Sequence, residues 1–440
     1  MPLLLSVAFQ QLYQMADSMI VGRFAESAQA GELALAAVGA SYPITQLFVA
    51  VATGINIGTS VLVSQLFGAK RYLRMKTAIS TALITTTVVS LLLTLFGAVC
   101  TNGLMSALNT SADIFADASL YLRVYVFGLL FLFIYNVCTG IFNAMGDSRT
   151  PLFLLILSSV GNVILDVVFV AMLHWGVAGV AWATFIAQGA SGVFAFFLLM
   201  RRVRTFDTGH HFILFAPEML RRLTNYAIPS IAQQSFVSVG NLIIQYYVNL
   251  CGPTVIAGFS VANRINMFAL TCCMSFASGL SSYVAQNIGA RKPRRVLSSM
   301  YVSLFWALSF GVVFGVLSCV FGTQLLGLYS PDPAVIQVGL NRMYIVCGPY
   351  FLCGIMDVMT GVLRGVGYSL LPMIVSLMGA CVFRIFWVMT IFAANRTMDC
   401  LMISYPVSWA LTFLVLVVIF AVLWKKKIRP RYTPEELAAR

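Results

Sequence analysis

Apolar runs of about 20 residues alternate along this chain with short polar breaks, and that period is the span of a helix across hydrocarbon. The breaks and turn signals predict spans at 2–22, 36–64, 77–100, 118–142, 151–173 and 177–200. A second set follows at 226–250, 255–286, 298–320, 342–363, 368–394 and 401–424. Lipid offers no water to an open sheet edge, so such a chain is all helix. The expected fold is an all-α integral membrane protein with twelve transmembrane helices in two pseudo-symmetric six-helix lobes. The one long polar interruption sets the domains: an N-terminal lobe of 1–200, a cytoplasmic linker of 201–222, a C-terminal lobe of 223–424 and a basic cytoplasmic tail of 425–440. A short amphipathic piece is expected in the linker around Phe212–Leu220.

The two lobes repeat one pattern. Gln65, Gly68, Ala69 and Lys70 recur as Gln286, Gly289, Ala290 and Arg291, an offset of 286 − 65 = 221. Gly140, Gly146 and Pro151 recur as Gly361, Gly367 and Pro372 at that same offset. One spacing shared by separate landmarks marks a duplicated scaffold. Pro2 matches Pro229 at 229 − 2 = 227, so the first half carries 227 − 221 = 6 extra residues around GRFAESAQAGEL. In these registers Asp17 faces Ile244, Asn162 faces Phe383, Asp166 faces Trp387 and Asp357 faces Asn136. The repeat specifies the frame, so the mismatched acids are the first candidates for chemistry.

Composition agrees with the spans: the chain is 60% hydrophobic and 9% charged, with mean hydropathy +0.92. Its net charge of +13 would suit nucleic acid, but the distribution assigns it to membrane topology. Basic residues crowd the loops after even-numbered spans: Lys70, Arg71, Arg74 and Lys76; Arg149; Arg201, Arg202 and Arg204; Arg291, Lys292, Arg294 and Arg295; Lys425, Lys426 and Lys427. The other loops carry Glu26, Glu32, Asp113, Asp117 and Asp332 with few bases. Basic loops stay cytoplasmic, which places both termini in the cytoplasm and the charge against anionic lipid rather than nucleic acid. The ten cysteines include no CxxC and none at metal spacing from a histidine; a disulfide among Cys100, Cys251, Cys319 and Cys400 stays open. The opening apolar stretch has no basic start, so it reads as a span and not a cleaved leader. Pro2 stands only 17 − 2 = 15 residues before Asp17, and the first helix is expected to lack its beginning.

Asp17 lies well inside the first span, where a carboxylate is costly and normally marks an ion or substrate path; the plain alternative is snorkelling from a short helix near Arg23. Asn162 and Asp166 are four apart, on one helix face at neighbouring turns. Two oxygen-bearing side chains on one face suit a hard cation or a shared proton, against the plain reading of a helix–helix hydrogen bond. Thr184 in the next span adds a hydroxyl. Asp357, in the tenth span, precedes Arg364 by seven residues, a stretched pair. A structural ion pair with Arg384 or Arg264 is as good a reading of Asp357 as a transport role. Gln233 and Gln234, with Asn241 and Gln245, give the seventh span an uncharged polar face, so Asp357, Gln233, Gln234 and Arg384 form a possible C-lobe ion or substrate site.

At these residues the chain resembles the multidrug and toxic compound extrusion family of secondary transporters. The resemblance covers essentially the whole chain: two six-helix lobes, the QxxGAK and QxxGAR helix ends, GDSRTP after the fourth span, and Gly176, Gly179 and Ala181–Thr184 before the sixth. It implies a cation-coupling set of Asp17, Asn162, Asp166 and Thr184, with Pro2 bending the first helix, and Na⁺ held by Asp17, Asn162 and Asp166 if sodium is the coupling ion. The pattern is similar to the prokaryotic DinF-like branch. Asp357 matches an acid of the NorM-like branch, but Val237 stands near the place of that branch's helix-seven glutamate, which puts a C-lobe sodium site in doubt.

The resemblance implies a multidrug exporter, not an enzyme, that antiports amphipathic, often cationic organic compounds against inward Na⁺ or H⁺ by alternating access. No cofactor beyond that ion is expected. Partners are small amphipathic substrates and membrane lipids, with no nucleic acid, and the protein is expected to act as a monomer in a prokaryotic inner membrane. The alternative is a flippase for lipid-linked saccharides of the same broader superfamily, which would call for a strongly cationic cavity, whereas Arg264 and Arg384 are the few bases read inside spans. An HExxH or a histidine cluster for a membrane enzyme, and a filter-like loop for a channel, do not occur in the sequence.

Overall fold

The computed structural model describes Phe9 and residues 28–438, apart from Asn109, Asp207, His210, Leu250, Cys251, Ser330 and Pro331. The first predicted span therefore lies, Phe9 aside, outside the described residues, and so do Pro2 and Asp17.

Every regular element among the described residues is helical. The first half contains α1 (Ala28–Gly68), α2 (Tyr72–Ala107), α3 (Ala112–Phe127), α4 (Leu129–Ala144), α5 (Arg149–Asp166) and α6 (Gly176–Arg204). After it come α7 (Pro217–Asn249), α8 (Pro253–Gly289), α9 (Pro293–Val320), the short α10 (Gly322–Gly327), α11 (Pro333–Arg342) and α12 (Phe351–Val366). The chain ends through α13 (Leu370–Ser376), α14 (Phe383–Trp387), α15 (Met398–Leu423) and α16 (Pro434–Ala438). Nine stretches among the described residues are long and apolar enough to cross a membrane alone, and two bent pairs bring the total to 11. These 11 fall on predicted spans two to twelve. α7 opens at Pro217, so of the amphipathic piece expected around Phe212–Leu220 residues 217–220 form the first turn of that helix and residues 212–216 are its irregular approach.

The duplicated landmarks have a physical cause: they are helix ends. Arg71 N–H donates to the Leu66 carbonyl at 3.0 Å, and Lys292 N–H to Asn287 at 2.9 Å, the six-to-one closure of a Schellman cap. The residue before each donor is left-handed, Lys70 at φ 56° and Arg291 at φ 57°. The second landmark repeats the device, with Asp147 N–H to Phe142 O and Tyr368 N–H to Leu363 O, both 2.9 Å. Here the left-handed residue is glycine, Gly146 at φ 81° and Gly367 at φ 102°, where a side chain would be strained.

Both halves also bend at one place. α3 and α4 meet at 49° around Gly128, and the segment Pro333–Cys347 meets α12 at 44°. The equivalent of Gly128 is 128 + 221 = 349, which is Pro349. Glycine weakens a helix there, and proline removes a backbone donor. After Asp166 the helix widens into a π turn, Val167–Met172, closed by Leu173 N–H to the Val168 carbonyl at 3.0 Å. After its counterpart Trp387 a π turn follows as well, Val388–Phe392.

The chain divides into two compact units, Met1–Phe67 with Arg71–Ile231, and Gly68–Lys70 with Ala232–Arg440. The core of the first unit is built on Phe133, Phe142, Leu122, Leu129, Leu154 and Leu199. The second has a core around Tyr350, Val346, Leu401 and Trp409 and another around Leu280, Val284, Val358 and Leu363. Equally apolar side chains face outward; Leu92, Leu95 and Val99 on α2 are 61%, 64% and 77% exposed. Such a surface is compatible with lipid and not with water.

Candidate functional site

Two of the predicted coupling residues line one cavity in the first unit. It measures about 130 Å³ and is bounded by Leu132 and Tyr135 of α4, Leu155, Ser158, Ser159 and Asn162 of α5, and Thr184, Ala187, Gln188 and Ser191 of α6. Seven of its ten lining residues carry a polar side-chain group although they lie within apolar spans. Close helix packing holds it: a Cβ on Gly192 of α6 would stand 2.8 Å from the Phe131 carbonyl of α4.

Asn162 is 2% exposed and Asp166, one turn further along α5, is fully buried. Asp166 is also the last residue before the π turn, a local widening frequent where helices carry function. Thus Asn162 and Thr184 meet at the cavity, with Asp166 on the same helix beyond it. The other two members of the predicted set, Asp17 and Pro2, lie outside the described residues. Among the described residues no three His, Cys, Asp or Glu side chains form a metal cluster. A cation here would rest on amide and hydroxyl oxygens with the carboxylate of Asp166, a hard donor set suited to Na⁺ or a proton.

In the second unit Gln233, one of the expected C-lobe set, stands between Arg364 and Ser376. Arg364 donates to Gln233 Oε1 at 2.6 Å, and the Gln233 amide donates to Ser376 at 2.6 Å. Gln234 is half-buried, and its backbone carbonyl accepts from Ser238 at 3.1 Å. The ion pair considered for Arg384 does not form with Asp357 or with any other described acid. Arg384 donates to Asn241 Oδ1 at 3.0 Å, and its guanidinium lies 4.3 Å from the Tyr405 ring centre. Ion pairs among the described residues are Arg222–Glu218 and Arg291–Glu436. Asp357 has one buried carboxylate oxygen without a hydrogen-bond partner, and the charged group it feels is Arg364. Arg264 is exposed.

Arg342 escaped the sequence reading. It is 1% exposed, donates to Asn263 Oδ1 at 2.8 Å and to the Phe259 carbonyl at 3.3 Å, and stacks 3.6 Å from the Phe259 ring centre. The predicted tenth span began at Arg342, where a side chain can reach water; the helix begins at Pro333, nine residues earlier. Cys100, Cys319 and Cys400 are free thiols, and Cys251 lies outside the described residues.

The family model MatE matches the chain twice, over residues 2–168 and 229–390. The chain is 26% identical over 435 residues to the Bacillus subtilis protein described as "Probable multidrug resistance protein YoeA", covering 97% of this chain and 93% of that one. It is also 26% identical over 390 residues to "Probable multidrug resistance protein YpnP" of the same organism, covering 87% and 85%. A crystal structure of a mutant of the Vibrio cholerae MATE transporter VcmN superposes with a TM-score of 0.88 at 20% identity, over 97% of this chain and 96% of that one. The family match falls on both copies of the duplicated frame, and the chain belongs to the MatE family of multi-pass membrane transporters.

Proposed function

We propose that this transporter is a secondary active multidrug exporter. It carries amphipathic, often cationic organic compounds outward in exchange for inward Na⁺ or H⁺, by alternating access, in a prokaryotic inner membrane with both termini cytoplasmic. The observation that carries this reading is the cavity of the first unit, with Asn162 and Thr184 among its polar lining residues and Asp166 buried one turn away. Its volume of about 130 Å³ has room for about four waters. A drug-sized ligand needs several hundred cubic ångströms. The scale therefore favours a coupling ion with part of its hydration shell. A carboxylate kept from water is costly, and a proton or Na⁺ offsets that cost, so loading and unloading the ion stabilise different conformations. An ion drives export only through such a difference, because a ligand indifferent to the two states moves nothing. The names borne by YoeA and YpnP support multidrug export.

The test is efflux of ethidium from proteoliposomes under imposed Na⁺ or H⁺ gradients. Wild type is expected to export the dye with one of the two gradients, and Asp166→Asn and Asp17→Asn to lose the gradient dependence. Gradient-driven efflux that survives undiminished in both variants would remove the coupling assignment. Transfer of a lipid-linked saccharide without dye efflux would replace export by the flippase reading.

A further inference from the structure

The interior of the second unit holds more positive charge than its acids match. Arg342 and Arg384 are 1% and 4% exposed, and Arg364 is half-buried. Asp357 is the acid that acts on Arg364. Among the described residues that leaves Arg342 and Arg384 with neutral acceptors alone: Asn263 and the Phe259 carbonyl for one, Asn241 for the other. Amide oxygens occupy N–H groups but do not neutralise charge. The Nε of each arginine is buried and has no hydrogen-bond partner, so each guanidinium keeps a donor in reserve.

Arg342 and Arg384 border one apolar cluster. Arg342 stacks on its Phe259 and Arg384 on its Tyr405. Tyr405 begins an aromatic row: its ring centre is 6.0 Å from Trp409, which stands edge-on to Tyr350 at 5.4 Å. The frame does not require these charges. The first-half equivalents of Arg342, Arg364 and Arg384 (342 − 221, 364 − 221 and 384 − 221) are Tyr121, Asn143 and Val163. A buried cation in a membrane protein is expensive and normally marks a functional path.

We infer that Arg342 and Arg384, with Tyr405, bind the acidic group of an amphipathic aromatic compound, a carboxylate or a phosphate. The two guanidiniums supply charge-assisted donors to the anion, and the Tyr405 ring beside Arg384 supplies an apolar contact. Calling that compound the transported solute rests on the export reading above; the anion site itself does not.

The experiment measures binding to the purified protein in lipid nanodiscs by titration calorimetry. Its probes share one ring and differ in charge: 1-naphthoate, 1-naphthyl phosphate and 1-naphthylmethylammonium. Wild type is expected to bind at least one anion about tenfold more tightly than the cation, and the tighter of the two anions identifies the acidic group. Arg384→Gln is expected to weaken that anion by about tenfold or more and to tighten the cation, a change of selectivity that a merely structural role would not produce. Arg384→Lys, which keeps the charge, is expected to retain the anion preference. Equal binding of anions and cation by wild type would overturn the inference, even if no variant folds. An unchanged preference in Arg384→Gln with a wild-type melting temperature would overturn it too. Ethidium efflux separates the two readings. Efflux without anion preference sinks the anion site alone, whereas anion preference without efflux under either gradient sinks the exporter and leaves the site standing.

Discussion

Equivalent positions in the two halves carry opposite chemistry. Asp166 stands where the second half has Trp387, whose indole donates to the Cys400 carbonyl at 2.9 Å. Asp357 stands where the first half has Asn136, whose amide donates to the Leu132 carbonyl at 2.8 Å. The described arginines of the first unit are all exposed, whereas the second buries Arg342 and Arg384. Helix caps, bends and one π turn recur in both halves, so duplication preserved the backbone devices and left the interior charges free to diverge. If that divergence is functional, neutralising the two acids has unequal results. Asp166→Asn is expected to cut gradient-driven efflux at least about tenfold, since each factor of ten in coupling is only about 1.4 kcal/mol of differential affinity. Asp357→Asn, beside Arg364 and not among the residues that line the described cavity, is expected to lose no more than about threefold. Initial rates in proteoliposomes under one fixed gradient decide it, and equal losses would break the contrast.

A smaller effect probes the frame itself. Gly140 and Gly361 are equivalent, and each is where two helices of its own unit touch. A Cβ on Gly361 would come 2.5 Å from the backbone carbonyl of Ala277, whereas on Gly140 it would meet the side-chain oxygen of Asn56 first and its backbone oxygen at 3.2 Å. Ala277 and Asn56 are themselves equivalent, 277 − 56 = 221. A side chain can turn aside but a helix backbone must move. Gly361→Ala is therefore expected to destabilise by about 2 kcal/mol, in the range of overpacked cores, and Gly140→Ala by less than half of that. Thermal melts of the two variants in the same nanodiscs check the order; a larger loss at Gly140 would mean that Asn56 is fixed by contacts more important than its packing.

Most of the fold was legible because hydrocarbon thickness dictates helix length and the repeat dictates register. What the sequence concealed sits on single residues. Gly128 and Pro349 bend their segments inside unbroken apolar runs, where one residue does not disturb the hydropathy pattern. Arg342 was placed at a helix end because the polar residues around Pro333–Arg342 look like loop, yet they form the helical lead-in that carries Arg342 inward. Asn162 and Thr184 were legible as neighbours because their helices are adjacent in sequence, and a four-residue spacing fixes Asn162 and Asp166 on one face. The partners of Arg384 were not, because Asn241 and Tyr405 come from distant helices and spacing along one helix says nothing about which neighbour arrives.

The smallest predicted effect concerns a contrast at the duplicated helix ends. Lys70 and Arg291 share a left-handed backbone, but Arg291 also receives the chain's tail. Its guanidinium donates to the Glu436 carboxylate and, at 3.0 Å, to the Arg431 carbonyl, and lies 5.8 Å from the Tyr432 ring centre. The hydrogen bond from Arg291, followed by that from Thr433, holds the Glu436 carboxyl below its ordinary 4.5. A carboxylate depressed in the docked state contributes to docking above its ordinary value and loses that contribution as pH falls through the depressed one. Docking is thus complete at neutral pH and weakens only below about 4.5. Arg291 is raised by the same contact and stays charged throughout. Both groups meet solvent, with side chains 60% and 26% exposed, so salt should also loosen the pair. The anisotropy of a fluorophore at the C-terminus, followed downward in pH, is expected to fall in acid for wild type. Glu436→Gln should show the low value already at neutral pH. Lys70→Ala should leave the profile unchanged and Arg291→Ala should flatten it; equal effects of those two substitutions would mean that the tail does not distinguish the two copies of the helix end.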